Sequence, residues 1–277
     1  MSDTTTEAPP KKKLSPRRRA QRIRWVQYAV LVGVALVIAF VADWGQIQQQ
    51  FFRSDLIKTT LTEGVGGALK NTVVYTVIAF ALGFALAILL ALMKLSPVAP
   101  YRWLATGYIE FFRGLPALIV ILVMAFGVPI AFSWQPPGGL IGAGLIALVL
   151  VAGAYMAETM RAGIQAVPKG QTEAARSLGM SAGRTTVSVV LPQALRIVIP
   201  PLTNEFVLLI KDTALLFVIG VQVGQRELTS VARDLTTSGP TAGTSTSLIQ
   251  AAILYLIITL PLTRLVALLE KRQQRAR

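Results

Sequence analysis

A chain of 277 residues that is 53% hydrophobic and only 14% charged is too apolar for an ordinary soluble domain. Its formal charge of +14 does not mark a nucleic-acid partner, because the basic residues gather at the ends of apolar runs, as membrane-flanking charge does. Cysteine and histidine are both absent, which excludes disulfides, thiol chemistry, the usual metal clusters and histidine-based triads.

Residues 1–24 carry Lys11 to Lys13, Arg17 to Arg19, Arg22 and Arg24 and have no apolar face, so a disordered cytoplasmic tail is expected. Its eight basic residues also suit anionic lipid head groups. The run from Trp25 to Val41 is long enough to cross a bilayer. A cleaved signal peptide is the competing reading, but no small-x-small site follows the run before Asp43-Trp44. Residues 25–44 are therefore read as an extra N-terminal span.

Residues 45–66 are polar and read as an external connection. A second span runs from Gly67 to Met93 and ends at Lys94; Ser96, Pro97 and Pro100 form a turn. Arg102 opens a third span that reaches Phe132, and Trp134 to Gly139 is a tight external turn. A fourth span, Leu140 to Met160, leads into a polar segment from Arg161 to Arg196. The fifth span is Ile197 to Val223, followed by an external loop, Gly224 to Ser247, with a short helix expected around Glu227 to Arg233. The last span is Leu248 to Leu269. The fold class is all-α: a polytopic integral membrane protein of six transmembrane helices. In this assignment twenty basic residues are cytoplasmic and four are external (Arg53, Lys58, Arg226 and Arg233), which places both termini in the cytoplasm.

The polar segment centres on Glu173-Ala174-Ala175-Arg176-Ser177-Leu178-Gly179. Thr172 is expected to cap a short helix, with Glu173 beside its positive end and Gly179 stopping it in the left-handed conformation. A helix of about two turns does not hold its shape alone in water, so something must pack on it. Nine residues separate Gly179 from Val189-Val190-Leu191-Pro192. The chain has no Gly-x-x-x-x-Gly-Lys-Ser/Thr loop for nucleotide phosphates. Catalysis by this chain is not expected, and any energy for work must come from another polypeptide.

Ionisable residues in or beside apolar spans include Glu110, Arg113, Glu158, Arg161, Glu205, Lys211 and Asp212. Each costs about 3 kcal/mol there unless it finds a partner. The third span is broken at Arg113-Gly114-Leu115-Pro116, where freed backbone groups can meet the ammonium and carboxylate of a substrate. Candidates for substrate or gate contacts are Tyr75, Glu110, Arg113, Gly114, Leu115, Pro116, Tyr155, Glu158, Asn204 and Glu205. Glu110 with Arg113 and Glu158 with Arg161 are equally readable as i,i+3 pairs that tie one helix to itself.

The spacing Glu-Ala-Ala, three residues, Gly, nine residues, Val-x-Leu-Pro resembles the cytoplasmic-loop signature of the membrane subunits of bacterial ABC importers, with Val189 in place of Ile. Gly153-Ala154-Tyr155-Met156-Ala157-Glu158, Lys169-Gly170-Gln171 and Lys211-Asp212-Thr213 are similar to the polar amino-acid uptake branch. The resemblance covers residues 64–272 and implies a permease core whose coupling helix lies near residues 172–180. It implies that Glu173, Ala174, Ala175, Arg176, Leu178, Gly179 and Met180 dock on a cytoplasmic ATP-binding subunit. Leu178 and Met180 would supply an apolar knob, and Glu173 and Arg176 a charged rim. ATP and magnesium would belong to that partner, leaving no cofactor in this chain. The other implied partners are a second permease, identical or a sister chain, and an extracytoplasmic substrate-binding protein, with this chain itself in the bacterial inner membrane. The alternatives are an importer of another small solute and a scaffold or sensor that docks an ATPase and moves nothing.

Overall fold

The structure, a computed structural model, describes residues 16–239 and 241–275, which are helical and contain no strand. The chain divides into two units, residues 1–49 and 50–277. In the first, helix α1 (Pro16–Val41) begins with its proline in the first turn, where a missing amide costs nothing. Arginine is a good helix former, so the helix of the first span reaches back through residues 16–24, which the sequence suggested were disordered. Residues 1–15 of the expected tail lie outside the described residues. A short helix, α2 (Trp44–Phe51), follows, capped by Asp43, whose Oδ1 accepts from the Gln46 amide at 2.9 Å.

The second unit contains α3 (Gly66–Lys94), α4 (Ala99–Gly114), α5 (Ala117–Phe132), α6 (Gly139–Ala166), α7 (Lys169–Ser177), α8 (Leu191–Asp212), α9 (Leu228–Thr237) and α10 (Thr246–Arg275). Between α2 and α3 the expected polar connection is a run of short helical turns that passes straight into α3. Length and composition mark α1, α3, α6 and α10 as crossings. The third expected span is bent by 104° between α4 and α5, and the pair makes a fifth crossing if it counts as one. The fifth expected span ends its regular helix at Asp212 and continues as a tighter turn to Ile219. Four charged residues and two internal prolines keep α8 from matching an apolar span. Four or five crossings are thus marked among the described residues, and six stays an expectation.

Helix α6 is the centre of the second unit, and small residues make its packing possible. Lipid tails are as apolar as leucine, so helices in a bilayer associate through close fit rather than through hydrophobic drive. Ala79, Gly83, Ala87 and Ala91 recur every fourth residue on α3, and all four are buried. A Cβ on Gly83 would sit 2.9 Å from Met156 Cε, and one on Gly153 would sit 2.8 Å from Leu86 Cδ2. At the other contact of α6, a Cβ on Gly163 would lie 2.1 Å from Val198 Cγ1 of α8. Two apolar clusters lie along α6, one around Ile121, Leu148 and Leu216 and one around Ile109, Met156 and Met160. Leu82 and Leu89 of α3 and Ile257 and Leu260 of α10 stay exposed, as lipid-facing positions should.

Candidate functional site

Between α6 and α8 the chain leaves the long helices for α7, and the local geometry of α7 follows from three residues. Pro168, extended at φ −57° and ψ 130°, precedes the helix and accepts the Gln171 amide at 3.0 Å. The helix therefore starts at Lys169, four residues before Glu173, and Thr172 is an inner residue rather than the expected cap. Proline's fixed φ makes the earlier start favourable, overriding a threonine cap. The other end is as expected. Gly179 is left-handed at φ +81°, its amide donates to Arg176 O at 3.0 Å, and the Met180 amide donates to Ala175 O at 3.2 Å. Those two bonds form a Schellman closure, which glycine adopts without a Cβ penalty.

Arg176, expected at the charged rim, makes no ion pair with Glu173 among the described residues. Its Nη1 donates instead to the Met180 carbonyl at 2.5 Å, adding a third tie to the helix end. Ala175 is the buried residue of α7, and Leu178 is 85% exposed, so the expected apolar knob projects from the protein. Below it, Val167, Val190 and Ala194 form a small cluster with Ile164 and Ile197, joining the ends of α6 and α8 under α7. Alongside α7 runs a groove of about 610 Å³ lined by Leu95, Pro97, Gln165, Lys169 and Thr172 among others.

The intramembrane candidates separate into three groups. At the break, Leu115 and Pro116 are extended and α5 restarts at Ala117, with the Ile119 amide on Pro116 O at 3.0 Å. Arg113 ends α4 exposed, its guanidinium 5.4 Å from the Tyr155 ring centroid, a cation–π contact, and its carbonyl 3.4 Å from the Tyr155 hydroxyl. Arg113 and Asp212 both lie within electrostatic reach of half-buried Glu205, and Lys211 lies within reach of Asp212, so two cationic and two carboxylate groups influence one another near the break. Glu110 and Asn204 are exposed, and Glu110 makes no ion pair with Arg113 among the described residues.

Glu158 forms the second group. Arg161 Nη2 reaches Glu158 Oε1 at 2.5 Å, and Lys94 Nζ at the end of α3 reaches Oε2 at 3.1 Å. This three-residue clamp ties the ends of α3 and α6 together and favours the structural side of the two readings of that pair. Lys94 has no sequence signal linking it to Glu158, because the contact spans 64 positions.

Tyr75 is the third. Its hydroxyl donates to Gln225 O at 2.8 Å, and Asn71, one turn earlier on α3, donates to Gly224 O at 3.1 Å and Arg226 O at 2.9 Å. Both side chains staple the loop before α9 onto α3.

Residues 83–275 match the family of binding-protein-dependent transport system inner membrane components. The chain belongs to this family. Among curated relatives, it is 38% identical over 211 residues to the probable glutamine ABC transporter permease protein GlnM of Bacillus subtilis, covering 74% of this chain and 91% of that one. It is 32% identical over 249 residues to the L-cystine transport system permease protein TcyB of the same organism, covering 87% and 95%. Among solved structures, an amino acid ABC transporter crystallised with histidines shares 36% identity at a TM-score of 0.67, covering 78% of this permease and 97% of that chain. This permease is thus an inner membrane protein with the ABC importer permease fold, as the sequence led us to expect.

Proposed function

We propose that this permease is the translocation subunit of an ATP-driven importer of polar amino acids, and that α7 is where a separate cytoplasmic ATP-binding subunit grips it. The observation that carries the reading is α7 itself. It is a nine-residue helix closed by its own backbone, with one buried residue and a projecting Leu178. A helix that short needs an external surface to hold and cover it. ATP and magnesium belong to that partner, and this chain carries no catalytic step.

Force applied at α7 reaches both flanking helices together, because Gly163 locks α6 onto Val198 and the Val167–Val190–Ala194 cluster joins their ends. Tyr155 on α6 and Glu205 on α8 then move with it against Arg113 at the break. An amino acid offers both charges that this cluster can meet, a carboxylate for Arg113 and an ammonium for Glu205 or Asp212. The amino-acid names of the relatives support the same substrate class. A second permease completes the path, a substrate-binding protein meets the loops at residues 45–66 and 224–247, and the twenty-to-four distribution of basic residues supports both termini in the cytoplasm.

The test is reconstitution in liposomes with its ATP-binding subunit and binding protein. Labelled amino acid should accumulate only with ATP, and hydrolysis should rise with liganded binding protein. Docking of the ATPase without accumulation of any of the twenty amino acids defeats the reading.

A further inference from the structure

The loop before α9 is built more firmly than a connection requires. Asn71 and Tyr75 hold three successive carbonyls, Gly224 to Arg226, against α3. Glu227, fully buried, caps α9 by accepting from the amides of Thr229 at 2.6 Å and Ser230 at 2.7 Å and from the Tyr255 hydroxyl at 3.3 Å. The Leu228 amide donates to Thr72 Oγ1 at 3.1 Å. These bonds leave the backbone on either side of Arg226 no freedom, so the side chains that α9 presents are preorganised.

What they present is a charged pocket. Arg226, Arg233 and Asp234 line a cavity of about 140 Å³ with Phe217 and Gly220. Arg226 Nη1 lies 2.5 Å from Asp234 Oδ2, yet that buried oxygen has no aligned hydrogen bond, so the approach is close without directional satisfaction. The guanidinium of Arg233 stacks 5.3 Å from the Phe217 ring centroid and makes no ion pair among the described residues. Arg226 and Asp234 also form the wall of a second cavity, of about 430 Å³, lined by Gly64, Ala68, Val231 and Leu235. The ion pair stands between a small polar chamber and a larger, more apolar one. Arginines are scarce outside in the topology proposed above, and two of the four external basic residues converge here.

We propose that this pair of cavities is an extracytoplasmic receiving site for the free amino acid, distinct from the Arg113–Glu205 cluster. The α-carboxylate is taken by Arg226 and Arg233, the α-ammonium by Asp234, and the side chain by the larger cavity. The ligand thereby replaces the Arg226–Asp234 pair with two pairs of its own, which gives an incoming zwitterion a way to open the wall between the chambers. The site rests on the amino-acid reading above, and it selects for a solute carrying both charges on one carbon.

Arg233→Gln is the variant of choice, since Arg233 is exposed, outside the ion pair and away from the caps that hold α9. The transporter in nanodiscs without binding protein should bind the labelled amino acid that it imports. It should bind the amide and the N-acetyl derivative of that amino acid at least tenfold more weakly. Arg233→Gln should lose at least tenfold in this binding and in uptake, with basal ATP hydrolysis and melting temperature unchanged. Equal binding of the amide and the parent compound, or wild-type binding and uptake by the variant, overturns the receiving site while leaving the importer reading intact. Loss of binding-protein affinity alone, with direct amino-acid binding unaltered, assigns Arg233 to protein docking and also overturns it. A wild-type transporter that imports no amino acid removes both.

Discussion

Helices α7 and α9 are nearly the same length, nine and ten residues, and each follows one long helix and precedes another. The chain encloses α9. Leu228, Ser230 and Ala232 are buried, Val65 and Ala251 close a cluster over them, and Ser247 Oγ donates to Ala232 O at 2.8 Å. The chain leaves α7 uncovered, with Ala175 as its buried residue and its largest apolar side chain projecting outward. Both helices meet the same physical limit, that two or three turns do not fold alone. One answers it within the permease, and the other, in the function proposed above, is finished by a partner. Stability should therefore depend on α9 and coupling on α7.

The largest expected effect follows from that division. Gly179→Trp forces a side chain onto a residue at φ +81° and places bulk beside Leu178, so it should abolish ATP-dependent uptake. Membrane insertion should stay at the wild-type level, and the local strain should cost no more than about 1–3 kcal/mol of stability. Unchanged uptake removes α7 as the docking point, and loss of insertion would make it a structural helix like α9.

A middle effect belongs to α9. Glu227→Ala removes a buried cap and leaves two amides and two hydroxyls without their acceptor, a loss of about 2 kcal/mol or more. Denaturation of the purified permease reads it, and ATPase docking should survive in whatever fraction stays folded. Burial pushes the Glu227 carboxyl up against the opposing pull of its hydrogen bonds. The folded state thus holds this proton more tightly than the unfolded chain. Its contribution is complete below about pH 4.3, the ordinary glutamate value, and declines as pH rises through the raised folded value. Glu227→Gln should flatten that decline in a series of melting temperatures. A slope equal to wild type would sever it from Glu227.

The smallest effect is expected at the clamp. Glu158 is a quarter exposed, so Glu158→Gln should cost about 1 kcal/mol or less and leave uptake within a few-fold of wild type. Abolished transport by a stable variant would return Glu158 to the substrate path.

Several of these features could be read from the residues alone. Gly179 marked the end of α7 because a left-handed stop is a local property, and Gly114 and Pro116 marked the break because proline removes a donor wherever it stands. The apolar runs marked the membrane class, since covering a bilayer requires consecutive apolar residues. The start of α7 was misplaced because Thr172 and Pro168 both offer a beginning and the choice depends on the approach from α6. Glu110 with Arg113 was as plausible by spacing as Glu158 with Arg161, and only the second pair forms.

Sequence by itself determined the solvent this protein lives in, the family to which it belongs and the conformation of its local stops, because each depends on neighbours in the chain. Tertiary structure decided that Lys94 meets Glu158, that Tyr75 and Asn71 fasten a loop, and that Arg226, Arg233 and Asp234 share a cavity with Phe217. Contacts between residues 64 to 155 positions apart are set by which helices can approach closely, and that approach depends on glycines whose missing Cβ has meaning only beside a second helix.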